Sequence, residues 1–201
     1  MKRRGSSIAL GAAAIALVLA LALGFPRASV AMMLGHGNEA AEPAKPGLTD
    51  TAAGDEDGPV DQERLQAGLA AFKAAGCRGC HGWAANGERE GPNPEGPSLR
   101  ATTLDLAGIR ETIACGRPGT PMPYFWRDAY KRGTTDCYGV TPADLGDQMP
   151  TKANTRLTTQ KVDDLAYYIA RYVKGQGDIT LDQCEFFFGK GDNHCAEYAG
   201  K

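Results

Sequence analysis

Two cysteines three positions apart with a histidine directly behind them, Cys77-Arg78-Gly79-Cys80-His81, constrain this chain more than any other feature. Thiols at that spacing can add across the two vinyl groups of one haem, with the next residue falling under the iron: this is the attachment pattern of a c-type haem. A chain that bonds so large an apolar plate has to fold around it. Three other readings of the same residues are weaker. A thioredoxin-type redox pair wants a preceding strand in a βαβ setting, whereas the residues before Cys77 follow a helical period. A closed zinc site needs two further ligands, and the sequence has no second Cys-x-x-Cys and no His pair. A structural disulfide would leave His81 and the surrounding glycines without a purpose.

The N-terminus sets the compartment in which such a motif would be used. Lys2, Arg3 and Arg4 precede an apolar run from Ile8 to Phe25, and Ser29-Val30-Ala31 closes it with small residues. Residues 1–31 therefore read as a secretory signal cleaved after Ala31. The apolar run is about 18 residues, near the lower limit for crossing a bilayer, so an uncleaved N-terminal membrane anchor is the alternative. On either reading the rest of the chain is expected in the periplasm, free or anchored to the inner membrane. Lys2, Arg3, Arg4 and Arg27 are the only charges in that segment. The 22 Lys+Arg and 24 Asp+Glu of the whole chain thus become 18 against 24 beyond it, a formal charge of −6. Such a balance argues against nucleic acid as a partner and suits a basic protein.

Residues 32–59 hold almost no large apolar side chain and read as a flexible tether. Folding should begin at Val60. Asp61 can cap a helix, with Val60 and Leu65 as a hydrophobic staple and Leu65, Leu69 and Phe72 on one face as far as Gly76. A second helix is expected from about Leu104 to Cys115, with Leu106, Ile109 and Ile113 aligned and Gly116 ending it. A third should run from about Thr159 to Lys174, with Val162, Leu165, Ala166, Ile169 and Val173 on one stripe. Between the last two lies a proline-rich loop over 116–157, long enough to imply a functional reason. Gly and Pro together supply 38 of the 201 residues, in keeping with long irregular connections. A short helix follows Thr180, where Thr180 and Gln183 form a capping box.

From Val60 to Lys174 the chain resembles the class I c-type cytochromes. Gly68 and Phe72 resemble the family's Gly and aromatic positions on the first helix, and Leu165, Tyr168 and Ile169 resemble the last helix, which crosses it. Gly96-Pro97-Ser98-Leu99 is similar to the family's Gly-Pro-x-Leu turn. The resemblance implies that the Pro97 carbonyl accepts a hydrogen bond from the ring of His81, fixing its tautomer and orientation. It also implies a methionine as sixth iron ligand. Beyond residue 31 the methionines are Met32, Met33, Met122 and Met149, and the first two fall in the tether. The segment Gly116-Arg117-Pro118-Gly119-Thr120-Pro121-Met122-Pro123 is similar to the family's Gly-x-Pro-Gly-Thr-x-Met-Pro, which favours Met122. Met149, close before the last helix, is the rival, because the family also uses that spacing.

Cysteines 115, 137, 184 and 195 form an even remainder, which in an exported protein reads as two disulfides with three connectivities to choose from. The simplest pairs Cys115 with Cys137, pinning the long loop, and Cys184 with Cys195, closing the tail. The expected fold is all-α: a class I cytochrome c domain over 60–175 with an enlarged axial-ligand loop, and a disulfide-closed tail over 176–201 packed on it. One covalent haem c is expected, attached at Cys77 and Cys80, ligated by His81 and Met122, and oriented through Pro97. With both axial positions filled the protein is expected to be an electron carrier and not an enzyme. It would take single electrons from a periplasmic dehydrogenase, a quinoprotein dehydrogenase among the candidates, or from a quinol-oxidising complex, and pass them to an oxidase or another cytochrome. The alternative is a membrane-anchored cytochrome subunit of a larger respiratory or photosynthetic complex. A haem enzyme or gas sensor would need a vacant axial site. Arg78, Trp83, Tyr124, Phe125 and Trp126 are candidates to frame or pack on the haem, and His194 reads as a surface residue.

Overall fold

The computed structural model describes residues 58–131 and 135–200. The expected signal or anchor over 1–31, and the tether up to residue 57, lie outside the described residues. Helix α1 spans Gln62–Ala74, started by the Asp61 carboxylate, which accepts from the backbone N–H of Glu63 and Arg64 at 3.0 and 3.1 Å. Leu65, Gly68, Leu69, Ala71 and Phe72 form its buried face. Helix α2, Arg78–His81, is the single turn that carries the cysteine motif. Helix α3, Leu106–Cys115, starts two residues after the expected Leu104, because the Asp105 side chain caps it through Gly108 N–H at 2.8 Å.

The proline-rich segment after α3 is not one loop. Strand β1 (Tyr124–Trp126), helix α4 (Pro142–Leu145) and strand β2 (Lys152–Leu157) lie within it, and β1 and β2 pair in parallel, Tyr124 opposite Lys152 and Trp126 opposite Leu157. The helical expectation holds for the domain as a whole, and this small sheet is the addition to it. Helix α5, Thr159–Tyr168, is capped by Thr158 and continues as a π-helical turn over Ile169–Val173.

The crossing of α1 over α5 organises the core. A Cβ on Gly68 would fall 2.2 Å from the Asp164 carbonyl oxygen and 2.4 Å from Tyr168 Cβ, so the two backbones approach closely only because no side chain stands there. Phe72 meets the edge of Tyr168 with ring centroids 5.9 Å apart. The Tyr167 hydroxyl accepts from Asp61 N–H at 2.8 Å, tying the start of α1 to the same helix. From the other side α3 contributes Leu106, Ile109 and Ile113 to the core, and its Arg110 pairs with Asp163 on α5.

After α5 the chain turns back as α6, Leu181–Phe188, and a 3₁₀ turn over Asn193–Tyr198. Phe187 packs edge-on against Phe72, and Trp83 meets Phe187, Phe188 and Tyr198 with centroids 5.1 to 5.8 Å away. Arg100 clasps this tail to the domain, donating to the carbonyls of Ala84 and Asp178 at 3.3 and 3.2 Å and to Gln183 Oε1 at 3.1 Å. The structure pairs Cys115 with Cys137 and Cys184 with Cys195. Among the described residues no helix is long and apolar enough to cross a membrane.

Candidate haem site

The site starts where α1 stops. Gly76, at φ +73°, turns the chain out of the helix, and Cys77 N–H donates to Phe72 O at 3.2 Å. The turn that follows is closed by Cys80 N–H and His81 N–H, both donating to Cys77 O, at 3.2 and 3.0 Å. One helical turn therefore sets Cys77 and Cys80 on the same side, with His81 next in line. Both thiols are free, while the other four cysteines are bonded in pairs. Burial, with Cys80 adding a smaller push, drives the Cys77 thiol up to about 12. A thioredoxin-type nucleophile needs the opposite, a thiol lowered toward neutrality.

His81 is 6 % exposed, and its Nδ1 lies 2.8 Å from Pro97 O. A carbonyl oxygen can only accept, so Nδ1 carries the hydrogen and Nε2 keeps its lone pair. Burial also holds the ring below its ordinary pKa, against the opposing pull of the Pro97 bond, which favours the neutral, ligating form. Gly96 forms the floor of this arrangement. A Cβ there would stand 2.8 Å from His81 Nδ1 and 2.9 Å from Cys80 O, and its N–H donates to that same carbonyl at 2.9 Å. The connection from His81 to Pro97 is held in register by Gly87 N–H on His81 O and Leu99 N–H on Ala85 O, each at 2.8 Å. Ala85 takes a left-handed φ of +55° to make that second bond.

The two candidate methionines precede the same end of the small parallel sheet. Met122 stands just before β1 and Met149 just before β2, and Gly119 N–H donates to Gln148 O at 2.9 Å, joining their two turns. They differ in setting. Met122 is half-buried and packs against the hydrophobic core. Its turn is closed by Arg117 N–H on Met122 O and by Met122 N–H on Thr120 Oγ1, both at 3.2 Å. Met149 ends the 3₁₀ turn Gly146–Gln148, half-buried.

Several of the aromatic and charged residues singled out in the sequence have partners within the protein. Trp83 packs on the tail, and Trp126 is buried with its Nε1–H donating to Thr159 Oγ1 at 3.1 Å. Arg78 pairs with Glu90 at 2.7 Å. His194 is exposed on the tail, where it stacks on Phe188 and bonds Asp192 at 2.7 Å. Gly96, beside Pro97, is a further site residue that the sequence does not single out. The signal available was its place directly before that proline.

The sequence model of the cytochrome c family matches residues 65–172, more than half of the chain. The chain belongs to the cytochrome c family. Comparison with curated proteins and with solved structures returned no match. The family match covers α1 from Leu65 onward, the cysteine motif, α3, the small sheet and α5 and stops before α6, so the tail is outside it. Membership of the cytochrome c family implies covalently bound haem c and electron transfer. The residues present fit that group: two free thiols one helical turn apart, a ring nitrogen with its lone pair kept available, and a glycine where any side chain would strike the ring.

Proposed function

We propose that this cytochrome c is a periplasmic one-electron carrier with a single haem c, held by Cys77 and Cys80 and ligated by His81 and Met122. The observation that carries this reading is the His81–Pro97 hydrogen bond, which presents Nε2 as a ligand directly after two free thiols. Bound haem c supplies a ferric/ferrous couple. The protein's part is to hold and tune it. Cys77 and Cys80 fix its place, Pro97 keeps the His81 ring in one tautomer and orientation, and the soft thioether of Met122 favours the ferrous state and so a higher potential. With His81 and Met122 both holding the iron, no position would be left for a substrate, which is the ground for reading a carrier and not an enzyme.

The export-like N-terminus supports a periplasmic location, and the formal −6 of the chain beyond residue 31 suits basic redox partners. Donors of the right class are a periplasmic dehydrogenase, such as a quinoprotein dehydrogenase, or a quinol-oxidising complex; acceptors are an oxidase or another cytochrome. The apolar run of about 18 residues favours one further reading, retention of that segment as an anchor within a larger respiratory or photosynthetic complex. Potentiometric titration of the purified protein tests the shared chemistry. A single one-electron wave is expected, together with a reduced form that does not bind carbon monoxide on mixing. Immediate carbon monoxide binding would show a vacant axial site and replace the carrier with a ligand-binding haem protein.

A further inference from the structure

Two tyrosines outside the family's motifs close on the start of the methionine segment. Helix α3 ends at Cys115 and Gly116, whose carbonyls have no partner within the helix. Tyr130 Oη–H donates to Cys115 O at 2.9 Å, and Tyr138 Oη–H donates to Gly116 O. Both tyrosines adopt left-handed backbone angles, φ +58° and +56°, a conformation rare for bulky side chains that persists only where the surroundings enforce it. Tyr138 N–H is held by Glu111 Oε1 at 2.9 Å, and the buried Cys115–Cys137 disulfide fixes the neighbouring residue.

Gly116 lies directly against the far end of the ligand segment. A Cβ on Gly116 would be 2.8 Å from Met122 O, Pro123 C and Tyr124 N, and the Tyr124 ring meets the Tyr130 ring edge-on at 5.2 Å. Tyr130 therefore holds the residue just before the segment 116–124 and the ring at its end, and Tyr138 holds its first residue. We propose that Tyr130 and Tyr138 are positioning residues for the axial methionine, anchoring segment 116–124 so that Met122 is presented at a fixed place. This rests on Met122 as the ligand.

The experiment uses the full holoprotein, its Tyr130→Phe, Tyr138→Phe variant, the single Tyr138→Phe variant as a milder change, and Met122→Ala. Two readouts are followed in the tyrosine variants: hydrogen exchange at the amides of Arg117 and Gly119, and the concentration of added imidazole that displaces the native sixth ligand from ferric iron. Removing two hydroxyls is expected to speed that exchange and to raise imidazole affinity about tenfold, with a smaller change of the same sign for the single variant. A role confined to fold stability would lower the melting temperature and leave imidazole affinity where it was. Unchanged exchange and imidazole affinity, with the sulfur-to-iron band lost in Met122→Ala, would overturn the proposal alone. A band retained in Met122→Ala would overturn the ligand assignment, and the proposal with it.

Discussion

Met122→Ala is expected to abolish the sulfur-to-iron charge-transfer band of the ferric protein and to lower its reduction potential by about 0.1 V or more, a step well within the roughly 0.8 V over which axial ligands set haem potentials. The reason is chemical. A thioether is a soft donor that stabilises ferrous over ferric iron, and alanine leaves nothing to take its place but water or a harder side chain. The structural reason for choosing Met122 is its setting: its turn is tied by one backbone hydrogen bond and one to the Thr120 hydroxyl, and its side chain packs against the core. Met149→Ala is the matched comparison and should leave band and potential nearly intact. The reverse pattern would move the assignment to Met149. Loss in neither variant would place some other residue at the sixth position.

Gly96→Ala is expected to destabilise the protein by about 1–3 kcal/mol, the usual range for forcing atoms into a packed site. The new Cβ would stand 2.8 Å from His81 Nδ1 and 2.9 Å from the Cys80 carbonyl, and neither neighbour is free to withdraw. The ring is held by Pro97, and the carbonyl lies in the turn that carries both attachment cysteines. The ring must therefore tilt off the Pro97 carbonyl, so a changed ferric paramagnetic resonance spectrum should accompany the loss of denaturant stability. Gly177→Ala, where an added Cβ meets nothing within 4 Å, provides the comparison and should stay within about 0.5 kcal/mol of the parent. Equal stability and an unchanged spectrum in Gly96→Ala would mean that the His81 ring does not rest on Gly96.

What the sequence made legible was local. Asp61 announces α1, the spacing of Leu65, Leu69 and Phe72 gives its buried face, and Thr180 with Gln183 announces α6. These are signals between residues one or two turns apart. Where partners are remote, the sequence was silent. Nothing in Tyr124-Phe125-Trp126 indicates a parallel partner at Lys152–Leu157, so in the sequence β1 and β2 look like loop. For the same reason the two methionines looked like separate alternatives far apart in the chain, although pairing of the strands brings their turns to one place. The stripe of α5 gave its helix but not its ending: Lys174 N–H bonds Ile169 O at 2.8 Å, a five-residue step that leaves the apolar stripe unchanged. At the site, the motif supplied Cys77, Cys80 and His81, and the Gly-Pro-x-Leu turn supplied Pro97. The steric part of Gly96 became visible only once the His81 ring was seen lying against it.

The most direct test of the central claim is the intact mass of the native protein after full denaturation, measured beside a Cys77→Ala, Cys80→Ala variant. Thioether bonds survive denaturation, whereas ligation by His81 and a methionine does not. The chain is expected to be heavier than its polypeptide by one haem, with the excess carried on the peptide containing Cys77 and Cys80 and absent from the variant. A denatured chain of bare polypeptide mass, or an excess that persists without Cys77 and Cys80, would contradict covalent haem at this motif.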